Sequence, residues 1–63
     1  MELGEKLQQL RKSRDLTQEE LAEHLGVSFQ SVSRWENGAT YPDLELIPSI
    51  AAILGVSVDE LLG

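Results

Sequence analysis

The chain has 63 residues, five Lys or Arg against eleven Asp or Glu, a net charge of −6 and no cysteine. That length allows one domain, near the lower size at which a chain folds without staples, and the missing cysteines exclude disulfides and thiolate metal sites. The opening MELGEKLQQL has neither the basic n-region nor the apolar run of a signal peptide, and no apolar stretch approaches the about 18 residues of a membrane-spanning helix, so a cytoplasmic protein with no membrane association is expected.

Leu3, Leu7 and Leu10 follow the i, i+4, i+7 spacing of one helix face, which predicts a helix from about Glu2 to Arg14. Its last turn is basic. Arg11, Lys12 and Arg14 suit the negative end of the helix dipole. Lys12 and Arg14 suit a phosphate contact equally well, and both readings stay open. Asp15 then interrupts the pattern before Leu16.

Residues 17 to 38, TQEELAEHLGVSFQSVSRWENG, carry two helix starts with a tight glycine turn between them. Thr17 has N-cap chemistry, Glu20 completes a capping box, and Leu16 and Leu21 occupy the staple positions, so a helix begins near Gln18. Leu21 and Leu25 supply its buried stripe, and Ala22 is small enough for another helix to approach. Gly26 ends it, because glycine takes the left-handed conformation without a Cβ penalty. Ser28 is the next N-cap candidate, with Val27 and Val32 as staple, and Gly38 after Asn37 closes this second helix.

A turn of about 100° per residue along the second helix puts Val32 and Trp35 on one side and Gln30, Ser33, Arg34 and Asn37 on the other. Gln and Arg can bond bidentately to adenine and guanine edges in the major groove, and here they stand at i and i+4. Such a face also suits plain solvation. Phe29 lies at the edge of the buried arc, where it either covers the core or meets a thymine methyl. His24 lies off the apolar stripe and has no second ligand near it in sequence, so no metal site is expected.

The segment ATYP is a predicted loop, with Asp43 as the N-cap candidate for the next helix. Leu44, Ile47, Ile50, Ala51 and Leu54 form its expected apolar stripe. Pro48 removes an amide donor inside that pattern, so an irregular or 3₁₀ first turn is predicted, with regular helix from near Ile47 to the stop at Gly55. Ser57 and Glu60 make a second capping box, stapled by Val56 and Leu61, for a short helix over Val58 to about Leu62. The expectation is an all-α fold of five helices.

In order and spacing, LRKSRDLTQEELAEHLGVS, SVSRWENG and ELIPSIAAILGVSVDELL resemble the helix-turn-helix domain of phage repressors and Cro-type proteins, the XRE family of bacterial regulators. The resemblance spans nearly the whole chain and implies a compact lambda-repressor-like domain over residues 1–63, with the helix-turn-helix formed by helices 2 and 3. In many members that domain is the N-terminal module of a longer protein. It implies double-stranded DNA as partner, a homodimer on DNA, a recognition helix over 29–37 in the major groove, and no cofactor or small-molecule ligand. By the same resemblance, Ser28, Phe29, Gln30, Ser33 and Arg34 reach bases. Gln18, Asn37 and Thr40 touch the DNA backbone, where Lys12 and Arg14 are the further candidates. Arg11 and Glu36 match a buried ion pair between the first helix and the recognition helix. The loop after Gly38 departs from the pattern, since it is often basic in phage members and reads ATYPD here.

The charge argues the other way. Residues 1–38 hold all five cations against seven acids, a net −2, and residues 39–63 add four acids and no cation, a net −4. A nucleic-acid binder draws most of its non-specific affinity from neutralised phosphates. The reading from a different class is therefore a protein-interaction or antitoxin-like module whose acidic surface binds a basic partner. Catalysis is not expected, because the hydroxyls sit mainly at caps and the carboxylates are spread along solvated faces.

Overall fold

Helices in this chain start or stop, at most of their ends, where a capping side chain or a left-handed residue satisfies the unpaired groups. In the computed structural model, which describes residues 2–63, they are α1 (Leu3–Ser13), α2 (Gln18–Leu25), α3 (Phe29–Glu36), α4 (Ile47–Leu54) and α5 (Val58–Leu62), with a 3₁₀ turn over Leu44–Leu46 before α4. All five predicted helices are present. Pro48 falls in the first turn of α4, where its missing amide would have had no helical partner.

Three of the connections use one device, spelled DLT at 15–17 and GVS at 26–28 and 55–57. The first residue is left-handed (Asp15 φ 57°, Gly26 φ 72°, Gly55 φ 73°) and folds the chain back on the helix it ends. The amide of the apolar second residue then bonds the carbonyl five positions back: Leu16 to Arg11 at 3.1 Å, Val27 to Ala22 and Val56 to Ala51 at 3.0 Å. The hydroxyl residue starts the next helix. Thr17 accepts from the Glu20 amide and Ser57 from the Glu60 amide, each at 3.0 Å, and Ser28 accepts from the Ser31 amide at 3.3 Å. A cap of this kind contributes about 1 kcal/mol. Glu20 and Glu60 return the bond to the cap residue's own amide, completing both predicted boxes.

The core is built from all five helices. Leu7, Leu21, Ala22, Val32, Trp35, Ile47, Ile50, Ala51, Leu54 and Leu61 are buried together, with Leu3, Leu10, Leu16, Leu25, Val27 and Val56 packed at its margin. The Cα radius of gyration is 10.1 Å, against about 10.6 Å for a close-packed domain of this length. Within that core α3 lies against both α1 and α2, so its orientation is set from two sides.

Two expectations at the start of α4 change. Leu44 is 85% exposed rather than part of the stripe. Leu44 opens the 3₁₀ turn directly after the extended Asp43 and is left in solvent, while Leu46 packs against the core. Asp43 occupies the N-cap position but makes no side-chain cap bond; its carbonyl accepts the Leu46 amide at 2.9 Å.

Gly4 is buried where the first turn of α1 crosses the end of α3. A Cβ there would collide with the Trp35 carbonyl oxygen and lie 2.8 Å from that of Glu36. Gly4→Ala in an open helix would gain about 1 kcal/mol of propensity. Here the overlap is with backbone that cannot step aside, so the substitution is expected to cost about 1 to 3 kcal/mol, a melting temperature lower by roughly 5 to 20 °C. A thermal melt that moves upward would contradict the close approach.

Candidate nucleic-acid interface

The inward side of α3 carries Val32 and Trp35, both buried, while Gln30 and Arg34 are exposed, as are Asn37 and Thr40 just beyond the helix. The helix ends at Glu36, so Asn37 is its C-cap rather than its last residue. Ser33 is half-buried and less outward than its position on the wheel suggests. Phe29 is 46% exposed, consistent with an edge position. The Ser28 hydroxyl is engaged as the cap of α3 and shares a 3.1 Å bond with the Ser31 hydroxyl.

The third residue of each capped helix shows a difference that the sequence reading passed over. Helices α2 and α5 place Glu20 and Glu60 there, whereas α3 has Ser31. A carboxylate at that position would cap more completely, but it would add an anion to the end of α3 beside Phe29 and Gln30. Its absence leaves the first turn of α3 without an acid, which suits an approach to phosphates.

Below this face Glu36 is held on three sides. Arg11 Nε donates to Glu36 Oε2 at 2.6 Å and Arg11 Nη2 to Oε1 at 2.9 Å, a bidentate pair with side-chain exposures of 9% and 1%. Arg11 Nη1 donates to the Leu16 carbonyl at 2.7 Å, and Gln18 Nε2 donates to Glu36 Oε1 at 3.1 Å. One cluster thus joins α1, the turn after it, the first residue of α2 and the last residue of α3. The hydrogen bond to Glu36 raises the Arg11 pKa above its ordinary value against the opposing effect of burial. Because the folded value is the higher one, the pair's contribution from Arg11 is complete below the ordinary arginine range and is lost only as pH rises through the raised value.

Lys12, Gln18 and Phe29 line one open groove of about 510 Å³ together with Arg11, Asp15, Leu16, Thr17 and Glu19. The groove unites two expected backbone contacts with one expected base contact. Arg14 is directed elsewhere: its Nη1 lies 2.7 Å from where a Cβ of Gly55 would be, so the guanidinium covers the turn after α4. That is a third reading for Arg14, at the negative end of a helix other than its own. Asn37 opens onto a smaller cleft of about 290 Å³ that also carries Glu2 and Glu5. Among the described residues no His, Cys, Asp and Glu group is placed to hold a metal ion, and no helix is long and apolar enough to cross a membrane.

An all-α domain in which a glycine turn sets one short helix against a second, outward-facing one is a helix-turn-helix module. The helix-turn-helix family model matches residues 7–61, and the chain belongs to that family. It is 52% identical over 62 residues to the HTH-type transcriptional activator BcrR of Enterococcus faecalis, covering 98% of this chain and 30% of that protein. It is 41% identical over 61 residues to the antitoxin PezA of Streptococcus pneumoniae, covering 97% of this chain and 39% of that one. The chain therefore spans less than two fifths of the length of either relative. Among solved structures, the P22 c2 repressor protein in complex with a synthetic operator matches with a TM-score of 0.91 and 32% identity over 98% of this chain and 94% of the repressor chain. The fold is thus the repressor type expected from the sequence.

Glu36→Ala would strand the Arg11 guanidinium in a buried site and remove the partner of Gln18. Breaking a buried pair in this way is expected to cost about 3 to 5 kcal/mol, against under about 1 for an exposed one. A variant that melts within a degree or two of the parent would contradict the role assigned to the pair.

Proposed function

We propose that this chain is the DNA-binding module of a bacterial or phage transcriptional regulator and reads sequence as a symmetric dimer, with α3 in the major groove. The carrying observation is the exposed Gln30 and Arg34 on a helix whose other face is locked into the core by Val32, Trp35 and Glu36. The likeness to the P22 c2 repressor, whose crystal structure is a complex with a synthetic operator, supports the same reading. It is a binding module and not an enzyme.

In this reading Arg34 bonds a guanine and Gln30 an adenine. Four residues rise about 6 Å along the helix, so the two side chains reach base pairs one or two steps apart. Phe29, Ser28 and Ser33 lie at the edges of the same contact, Phe29 offering its ring to a thymine methyl. Gln18, Asn37, Thr40 and Lys12 meet the sugar-phosphate backbone, with Arg14 the weakest of the backbone candidates because it rests on Gly55. A two-fold dimer places its half-sites about one helical turn apart, roughly 34 Å. The second reading, a protein-interaction module, is favoured by the acid of residues 39–63 and by the likeness to an antitoxin. Titration of random-sequence DNA at low and moderate salt separates the two, since an interaction module would show no saturable binding.

With Lys12 as the cation set against phosphate and Arg34 directed at a base, the log-log salt slope is expected near −1 for one subunit and near −2 for a dimer, at about 0.9 per neutralised phosphate. A slope of about −10 would show that the cations are wrongly placed. Arg34→Ala is expected to leave the melting temperature unchanged, to cost about 1 to 3 kcal/mol at a preferred site selected from random DNA, and to relax preference at one position per half-site. Equal loss on every sequence would make Arg34 a phosphate contact instead.

A further inference from the structure

The turn after α1 differs in one residue from the two turns built like it. Gly26 and Gly55 take the left-handed conformation without penalty, whereas Asp15 takes it at φ 57° and is the only non-glycine residue to do so among those described. Its side chain is exposed, as is that of Glu19, and among the described residues neither carboxylate enters a hydrogen bond or an ion pair. The cap of α2 is completed by Glu20 and does not use Glu19. Both carboxylates line the groove of about 510 Å³ that also holds Lys12, Gln18 and Phe29. Arg11 lines it too, but its charge is matched by Glu36. The groove thus carries one uncompensated cation and two anions.

Resting on the DNA-binding reading above, we infer that Asp15 and Glu19 are affinity-limiting residues, two carboxylates held against the DNA backbone that weaken binding to every sequence alike. A phosphate entering beside Lys12 meets like charge in the same groove. The groove is open to water, so the repulsion is modest and shortens as salt is added. It acts on the backbone, which all sequences share, and therefore lowers affinity for a preferred site and for random DNA by the same factor. Random DNA offers little beyond its phosphates, so it is the first to fall below useful occupancy. Glycine would close the turn at 15 without strain, as it does at 26 and 55. The turn itself has no use for a carboxylate there; the restraint on phosphate binding does. Glu19 also complements the helix dipole in the first turn of α2, an effect Asp59 has in the first turn of α5 without lining either cleft.

The test compares Asp15→Asn, whose side chain tolerates the left-handed region, Glu19→Gln and the double variant with Asp59→Asn, an equal charge change outside the groove. Asp15→Gly is a second variant that relieves the backbone strain and is expected to show the same gain as Asp15→Asn. Dissociation constants are measured for the selected site and for random DNA at low and moderate salt, with a thermal melt of each variant. Each single groove variant is expected to tighten binding to both DNAs about twofold to fivefold at low salt, and the double variant about tenfold, with a smaller gain at moderate salt. The ratio between selected and random DNA is expected to stay within about twofold of the parent's. Asp59→Asn is expected to leave both constants nearly unchanged. Groove variants that bind no tighter than a parent that does bind overturn the inference alone. A gain equalled by Asp59→Asn assigns the effect to net charge, and a gain confined to the selected site assigns it to base reading; either result overturns the inference. If neither the parent nor the double variant binds DNA at low salt, the DNA-binding reading itself is overturned.

Discussion

The bidentate bond between Arg11 and Glu36 is the contact on which the geometry of this domain depends. It connects residues 25 apart in sequence and closes in a site where the Glu36 side chain is 1% exposed. Two buried charges repay their desolvation only when the remaining hydrogen-bonding capacity is met. That condition holds here. The third Arg11 donor goes to the Leu16 carbonyl, Gln18 takes a further place on Glu36, and among the described residues no buried side-chain polar atom lacks a partner. The consequence is directional as well as energetic, since apolar packing alone would let α3 roll or slide on α1 and a forked guanidinium does not.

Around that fixed point the chain is folded by a repeated local device. A left-handed residue, an apolar residue and a hydroxyl cap end one helix and begin the next in three residues, so the turns leave little slack. The apolar residue serves both helices, as the contact that closes the first and the staple that opens the second. In so small a domain this economy matters, because few residues are left over to form loops. The one longer connection, from Asn37 to Asp43, departs from the device and carries the exposed Tyr41 beside buried Pro42, with the exposed Leu44 just after it.

Electrostatics and function fit together through the placement of charge rather than its total. A net charge of −6 is unfavourable for meeting DNA, yet α3 begins without an acid in its first turn and Arg34 stands on its exposed face. The acids of residues 39–63 have no cation among them. On the proposed DNA-binding reading, such an arrangement gives weak non-specific affinity and penalises approach by the wrong face. Selectivity then rests on geometry, which is what the rigid attachment of α3 supplies.

The features legible in the sequence were those decided within a few residues of one another. Thr17 with Glu20, Ser57 with Glu60, the stops at Gly26 and Gly55, and the 3₁₀ entry forced by Pro48 all follow from hydrogen bonds and steric limits inside one turn of chain, and so does the division of α3 into a Val32–Trp35 side and a Gln30–Arg34 side. The pairing of Arg11 with Glu36 was implied only by family resemblance, because nothing local specifies a contact 25 residues away. Tertiary structure alone decided the rest. Asp15 adopts φ 57° because α1 must be turned into α2 within four residues, and a short polar side chain tolerates what most L-residues avoid. Leu44 is exposed where the chain enters the 3₁₀ turn, and the core contact there is made by Leu46 instead. Gly4 has to be glycine because the Trp35 and Glu36 carbonyls pass over it, Arg14 lies on Gly55 rather than at the end of its own helix, and Gln18 reaches Glu36. Each of these depends on where one helix crosses another, a quantity set by the packing of the whole core and written in no single stretch of the chain.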